Sequence, residues 1–498
     1  MSIATTYPPE EVSTTNGLRT GSAYRASLRD DREVWINGER VKDVTTHPSF
    51  RPIIDVRARM YDIAFEDRHK DKMSYIDPQS GTRRSILNKL PLEQQDWNRK
   101  RTALSTVFHD IGGIVNRVGD ETVAAMWSMY DGRDRLREVD HRFCDNIERH
   151  LKQILLTDPY HVSGNADPKG NRSKRPQEQD PDMLLHAVKE TDSGIYVRGA
   201  KYETGSAYAN QAFIKVVTAN WGDAKLSDYA IGFILDDMAA PGIKHLCRTG
   251  LNDRRPEDYP LSTKFDEIDA MVIFDDVFIP WENVFFYRDT AAASYIRSSV
   301  HRYSTYPFLL RMVFFVDLLI GTVLYNLRQT GLENNPVIRE KLAAMACFRE
   351  MIDAHLTASV AKGERSPAGL FMPNQSLLFA GRALACSRLH EIIHIARELC
   401  GGQICLTPDY ASFAAAEPGQ WLDKYYSLDD EWHSEDRRKL LAFARDLINS
   451  DYAAHKLCFY LFGHAPPYVH LSLVYNNFDF EGPLDFVRKA AGLSDRIR

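Results

Sequence analysis

The 498-residue chain has no CxxC pair, no glycine-rich GxGxxG or GxxxxGK(S/T) segment, no internal repeat and no low-complexity tract. Without either glycine fingerprint, nothing in it predicts a site that grips a nicotinamide dinucleotide or a nucleoside triphosphate by a phosphate loop. Positive charge is not in excess: 62 Lys and Arg stand against 68 Asp and Glu, a formal charge of −6 that offers no general attraction for nucleic acid or anionic lipid. The seven cysteines are odd in number and scattered, and the Ser/Thr-rich start carries no signal-peptide pattern, which predicts a reducing cytoplasm. A long uninterrupted apolar run is also missing. The nearest, Phe308 to Leu327, is broken by Arg311 and Asp317 and reads as a buried helix rather than a membrane span.

What is present alternates between two periods. Asn37-Gly38 between apolar flanks predicts a small hairpin. Apolar residues then recur at three and four over Pro52–Phe65, Pro91–Asp110, Thr122–Tyr130 and Leu136–Leu156, giving a helical N-terminal layer. From Asp158 to Asp182 periodicity stops in a long loop where Lys169, Arg172, Lys174 and Arg175 gather beside Gly164 and Gly170. Such a loop suits either a phosphate-bearing ligand tail or simple solvation. Strand signals follow at Leu184–Val188, Gly194–Arg198, Ala212–Thr218, Tyr229–Leu235, Ile243–Cys247 and Met271–Phe278, without crossover helices, so the middle domain is expected to be an antiparallel barrel or sandwich. Pro280 closes the last strand within PLSTKFDEIDAMVIFDDVFIPWENVFFYR (260–288), the seam between sheet and helices. Beyond it, Ala291–Arg328, Pro336–Ala361, Ser376–Cys400 and His433–Phe462 predict a four-helix bundle. The expected class is α+β, with a helical domain over 1–157, a β domain over 158–288 and a bundle over 289–498.

One metal motif needs weighing. His390-Glu391-Ile392-Ile393-His394 places two imidazoles on one helical face, as a zinc peptidase requires, with Glu398 and Glu417 available as a third ligand. Arg397 stands where the extended motif turns on glycine, and Leu389, Ile392, Ile393 and Ala396 draw a core stripe, so the expectation is a structural bundle helix and no metal site.

The stretch PLS-x-KFDE-x-DA followed by FDDVFIPWENVF resembles the flavin-dependent 4-hydroxyphenylacetate 3-monooxygenase family, related in fold to the acyl-CoA dehydrogenases and including the 4-hydroxybutyryl-CoA dehydratases. Further echoes lie in GLRTGSAYRASLRDDREVWINGERVKDVTTHP, DPDMLLHAVKETDSGIYVRGAK and RKLLAFARDLINSDYAA, so the likeness covers about residues 17 to 465. The resemblance implies an acyl-CoA-dehydrogenase-like fold. It also implies FAD, or FMN, taken up reduced from a separate NAD(P)H-flavin reductase, and molecular oxygen transferred through a flavin hydroperoxide to a small aromatic substrate, phenolic or N-heteroaromatic. A homo-oligomer, a tetramer, with no nucleic acid or membrane partner, goes with it.

By the same resemblance the cofactor is expected at Asp158, Pro159 and Tyr160, at Pro176, Gln177 and Gln179, at Thr204 and Gly205, and at Asn449 and Ser450. His301 is expected beside the flavin as a hydrogen-bond donor or phenol base. Phenol hydroxylases carry an arginine and a tyrosine on the N-terminal helices; here Arg101, Ser105 and His109 share a helical face, and with Thr218 they are the expected substrate contacts. Two departures stand out. The dehydratases hold an iron–sulfur cluster on three cysteines and a histidine; His301 matches the histidine, but Phe308 stands at the third cysteine and none lies between Met1 and Phe143, so no cluster is expected. Where the hydroxyphenylacetate enzymes read Leu-Thr-His, this chain reads Leu156-Thr157-Asp158, and an acid there favours an N–H or neutral hydroxyl over a phenolate. The alternatives are an acyl-CoA dehydrogenase- or dehydratase-like flavoenzyme, the zinc peptidase, and a flavin-storing or scaffold protein.

Overall fold

In a computed structural model, which describes residues 17–215, 223–428, 432–462, 465 and 467–493, the middle of the chain forms two sheets. Strands β1 (Glu33–Ile36) and β2 (Glu39–Val41) flank Asn37 and Gly38, whose φ values of 54° and 81° are those of a tight two-residue hairpin. Strands β3 (Ser74–Ile76) and β4 (Arg83–Ser85) make a second, separate hairpin. Then come β5 (His161–Gly164), β6 (His186–Thr191), β7 (Gly194–Thr204), β8 (Gln211–Ile214), β9 (Ile231–Leu235), β10 (Ile243–Cys247), β11 (Asp269–Pro280) and β12 (Val284–Tyr287). The larger sheet runs β2-β1-β10-β11-β7-β6 and the smaller β12-β9-β8-β5.

Both sheets are open, so of the two expected architectures it is the sandwich that forms, with Phe233 of β9 meeting Phe274 of β11 across its interior at 6.2 Å between ring centroids. Nor is the pairing purely antiparallel. β1 lies parallel to β10 and β5 parallel to β8, because each of these strands enters its sheet from a distant part of the chain rather than from an adjoining hairpin. Strands β1 and β2 form the small hairpin expected in the helical N-terminal domain, and by pairing with β10 that hairpin joins the middle sheet. Asp275 and Asp276, which interrupt the apolar run of β11, form a bulge: the register with β7 shifts between Phe274 and Val277, and Asp276 takes φ 54°.

Helices cover the sandwich on both sides. In the N-terminal layer the helices Arg51–Asp62, Gln94–Ile111, Asp120–Asp131 and His141–Thr157 bury their apolar faces in one core continuous with the sheets. Gln94–Ile111 begins at a capping box between Glu93 and Asp96 and ends at Gly112 in the left-handed conformation. The C-terminal layer packs Thr305–Gln329, Pro336–Ala361, Gln375–Cys400 and Ser434–Ile448 together, with Pro467–Asn477 lying on Gln375–Cys400. Two of the long helices predicted from sequence are broken. Thr290–Ser299 and Thr305–Gln329 are separate across Val300–Ser304, and Ser434–Ile448 and Asp451–Phe462 across Asn449–Ser450. The apolar helix Thr305–Gln329 is the core of this layer, and Arg311 within it is fully buried because Asp120 and Glu121 of the N-terminal layer both pair with it.

Candidate active site

The three layers converge on the segment Ile114–Glu121, and the residues that fix it come from the seam stretch. Glu267, buried, accepts the backbone N–H groups of Asn116 (2.5 Å) and Arg117 (2.8 Å) and the ammonium of Lys456 (3.1 Å). Asp446 holds the same stretch from the bundle, accepting the N–H groups of Leu261 and Ser262 at 2.7 Å each. Arg57 donates to the carbonyls of Val118 (2.8 Å) and Arg117 and lies 3.8 Å over the ring of Tyr160. Gly119 then takes φ 108° and opens the helix Asp120–Asp131, whose first two residues are acids placed where the helix dipole favours negative charge. Glu121 accepts from Arg117 at 3.1 Å and also pairs with Arg311.

Beside this segment lies a partly open cavity of about 50 Å³, lined among others by Arg57, Tyr61, Asn88, Asp120, Asp158 and His161. Asp158 ends the helix His141–Thr157 in the left-handed conformation (φ 44°, ψ 55°), which turns its side chain inward. Its carboxylate accepts from Asn88 Nδ2 at 2.6 Å and its carbonyl from the Tyr61 hydroxyl at 3.1 Å. Burial pushes this carboxyl up to about 6, against the pull of Arg19 and Asn88. Asp120 is likewise raised by burial, and its Oδ2 has no hydrogen-bond partner. Burial holds His161 down to about 3, so the cavity presents a neutral imidazole at physiological pH.

The residues expected at the cofactor are only partly gathered. Tyr160 and Tyr208 stack at 5.9 Å, both hydroxyls are buried and unpartnered, and Gly205 lies against them: a Cβ at that position would sit 2.8 Å from the Tyr160 hydroxyl. Tyr160 thus adjoins Gly205, with Asp158 and Pro159 just before it in the chain. Thr204 donates to Asp269 Oδ1 at 2.5 Å, and His455 meets Asp269 Oδ2 at 2.6 Å, which ties this corner to the helix that starts just after Asn449 and Ser450. Asn449 itself is exposed and bonded to Arg397, and Ser450 donates to the Asp446 carbonyl. Pro176–Glu178 is a short helical turn of the long loop, held to Asp223 by Arg175 and Gln177, while Gln179 caps that loop at Asn171. These last two groups stand apart from the tyrosine corner.

The expected substrate contacts are placed differently. Arg101, Ser105 and His109 do share a face, but it is turned to the bundle: Arg101 pairs with Asp353 and His109 packs edge-on to Phe314 at 6.0 Å. The opposite face of the same helix supplies Val107 to the cavity. Thr218 lies outside the described residues. His301, half-buried, sits in the turn between two bundle helices with Nδ1 3.2 Å from Ser304 Oγ, and it does not line the cavity that holds Asp158. Its neighbour Val300 accepts from Ser128, two helical turns and about 12 Å beyond Asp120 along one helix. His390, Glu391 and His394 are exposed on their helix, with Glu391 accepting from Arg388 and Glu398 paired with Lys341. The residues that sequence reasoning passed over are Arg117, Asp120, Glu121 and Glu203. An arginine and an acid four residues apart straddling a glycine at a helix start was the available signal; their burial was not readable, since it depends on Glu267 and Arg311 far along the chain.

Comparison with known proteins supplies the wider context. Residues 20–286 match the family model described as 4-hydroxyphenylacetate 3-hydroxylase N terminal, and residues 291–492 the corresponding C-terminal model. The oxygenase component of a 4-nitrophenol 4-monooxygenase/4-nitrocatechol 2-monooxygenase of Rhodococcus opacus is 28% identical over 96% of this chain and 92% of its own length. The pyoverdin chromophore biosynthetic protein PvcC of Pseudomonas aeruginosa is 31% identical over 88% and 87%. Among solved structures, the oxygenase component of 4-hydroxyphenylacetate 3-monooxygenase complexed with FAD and 4-hydroxyphenylacetate superposes with a TM-score of 0.88 at 25% identity, covering 95% of this chain and 98% of that one.

Proposed function

This chain belongs to the 4-hydroxyphenylacetate 3-hydroxylase family, and on that premise we propose that it is the oxygenase component of a two-component, reduced-flavin-dependent monooxygenase that hydroxylates a small aromatic substrate. Reduced FAD, drawn from a separate NAD(P)H-flavin reductase, supplies the chemistry when bound: it activates molecular oxygen for transfer to an electron-rich ring. The observation that carries the reading is the buried polar corner of Tyr160, Gly205 and Tyr208, where two hydroxyls close on a glycine and lack partners, next in the chain to Asp158, Pro159 and His161 of the cavity. Those residues would hold a flavin edge, with Thr204 and Asp269 behind them, and Asn449 and Ser450 are kept as cofactor residues on resemblance alone. His301 is kept as a residue toward the flavin on resemblance alone.

The protein's own part is desolvation and orientation. Asp158 accepts a hydrogen bond from the N–H or hydroxyl of the substrate, and because its carboxyl titrates near 6 it serves as an acceptor at neutral pH. The substrate is therefore a phenolic or N-heteroaromatic ring with a neutral donor, in place of hydroxyphenylacetate itself. The enzyme is a homo-oligomer, a tetramer, of the cytoplasm: all seven cysteines are free, and the two last helices expose Tyr468, Leu471, Tyr475 and Phe486. The test mixes the protein, reduced FAD, oxygen and a panel of phenols and hydroxylated heterocycles. Product that needs the oxygenase and reduced flavin together supports the reading. NADH consumption by this protein alone, without any reductase, overturns it.

A further inference from the structure

Glu203 is an anomaly in the interior. It lies on β7, one residue before Thr204 and two before Gly205, is 2% exposed, and neither carboxylate oxygen has a hydrogen-bond partner. The cations around it are largely turned to other partners, although the buried Nε of Arg117 also lacks a hydrogen-bond partner. Lys201, on the same strand, pairs with Asp167 and donates to the Lys215 carbonyl at 3.1 Å; Arg117, from the opposite layer, pairs with Glu121. Across from β7, Gly164 of β5 leaves the space Glu203 uses, since a Cβ there would lie 2.4 Å from its Oε1. A carboxyl so placed is costly unless it keeps its proton or meets a ligand. Burial pushes it up to about 8, so at neutral pH it carries a hydrogen to donate. The unpartnered hydroxyls of Tyr160 and Tyr208 stand beside Gly205, and Arg117 faces both Glu203 and Tyr160.

We propose that Glu203 is a flavin-binding residue, its carboxyl donating a hydrogen bond to the polar ring edge of the cofactor alongside Tyr160 and Gly205. The proposal rests on the flavin reading above. A trapped water at Glu203 is the competing occupant, and it would leave flavin affinity indifferent to this side chain.

The experiment measures the Kd of oxidised FAD for the full-length protein from pH about 6.5 to about 9.5, by fluorescence and by ultrafiltration, for the wild type, Glu203→Gln and Glu203→Leu. The wild type is expected to bind evenly up to pH near 8 and then to weaken, approaching tenfold per unit as the carboxyl ionises. Glu203→Gln, which keeps a donor and cannot ionise, is expected to lose that limb. Lys215, pushed down to about 7 by burial and by Arg117 against the opposing pull of Glu121, remains in every variant, so any limb it causes persists. Glu203→Leu is expected to bind at least about tenfold more weakly than the wild type below pH about 8, where the wild-type carboxyl keeps its proton, and to show no limb of its own above it. Identical pH profiles for the wild type and Glu203→Gln overturn the proposal, as does wild-type affinity in Glu203→Leu; should the leucine variant fail to fold, the glutamine profile decides alone. Wild-type protein that binds no flavin at any pH removes the flavin reading and this inference with it.

Discussion

Two buried acids set the pH response of single residues, and they do so with the same sign. The Glu203 carboxyl sits at about 8 in the folded protein against an ordinary value near 4.5, and Asp158 at about 6 against 3.8. Between the two values the unfolded chain releases its proton while the folded chain holds it, so stability falls as pH rises through that window. For Glu203 the slope is about 1.4 kcal/mol per pH unit from about 4.5 to about 8, and urea denaturation at pH about 6 and about 8 should show the wild type losing stability relative to Glu203→Gln by about that slope, the other titrating groups being common to both. Asp158 reports on substrate as well. Asp158→His should weaken the native substrate by on the order of 1.5–3 kcal/mol in kcat/KM and improve a simple phenol; an unchanged ranking among substrates would refute its role. His390→Ala and His394→Ala, both exposed, should each change stability by less than about 0.5 kcal/mol and remove no metal, a result that calorimetry and metal analysis would check. At this scale the sequence was legible where chemistry was local. Leu156-Thr157-Asp158 announced its acid by motif alone, whereas Glu203 is buried by Gly164 and Ile214 of other strands, and no window along β7 contains them.

At the scale of elements, what could be read were segments whose ends carry their own stop signals. Ile243–Cys247 and Pro336–Ala361 form with the boundaries expected, the second because Asn335 caps it and Pro336 suits the first turn. The break at Val300–Ser304 has no glycine or proline to mark it and arises from packing, as Tyr303 stacks on Trp97 and Ser128 takes the Val300 carbonyl. The sheets likewise alternated visibly in sequence, but the parallel β1–β10 and β5–β8 pairs join segments far apart and left no local trace. The decisive contact between elements is the Glu267–Lys456 pair, which ties the seam, the bundle helix Asp451–Phe462 and the Asn116–Arg117 backbone together. Glu267→Ala should cost about 3–5 kcal/mol, because it strands Lys456 and two backbone donors in the interior. Glu267→Ala with Lys456→Met should cost less than the two single changes summed, and a double-mutant cycle by chemical denaturation measures the difference. Strict additivity would show that the pair is not coupled.

At the scale of the whole molecule, the last described helices carry a set of exposed apolar side chains. Helices Pro467–Asn477 and Glu481–Ala491 carry Tyr468, Leu471, Tyr475, Leu484, Phe486 and Val487 with more than half of each side exposed, Phe486 at 74%. Scattered apolar residues are ordinary on a protein surface, but several this exposed on two successive helices offer a face that a second copy of the chain would cover, in line with the proposed homo-oligomer. The inner face of Pro467–Asn477 already packs on Gln375–Cys400, so the exposed side is available to another copy without unfolding anything. A stable homomeric contact hides about 800 Å² on each partner, and its aromatic anchors carry most of the energy. Tyr475→Asp combined with Phe486→Asp should therefore lower the mass in sedimentation or light scattering by at least one association step, while circular dichroism and the melting of the monomeric core stay close to wild type. Flavin affinity offers a second reading of the same variant. Asn449 is exposed, and Asn449, Ser450, Pro176, Gln177 and Gln179 stand apart from the tyrosine corner within one chain, so if the distal end of FAD is shared between subunits, dissociation should weaken FAD binding by about tenfold or more. A variant that keeps the wild-type mass would show that these aromatics face something other than a second copy of the chain; one that dissociates and still binds FAD as tightly would place the whole cofactor within a single subunit.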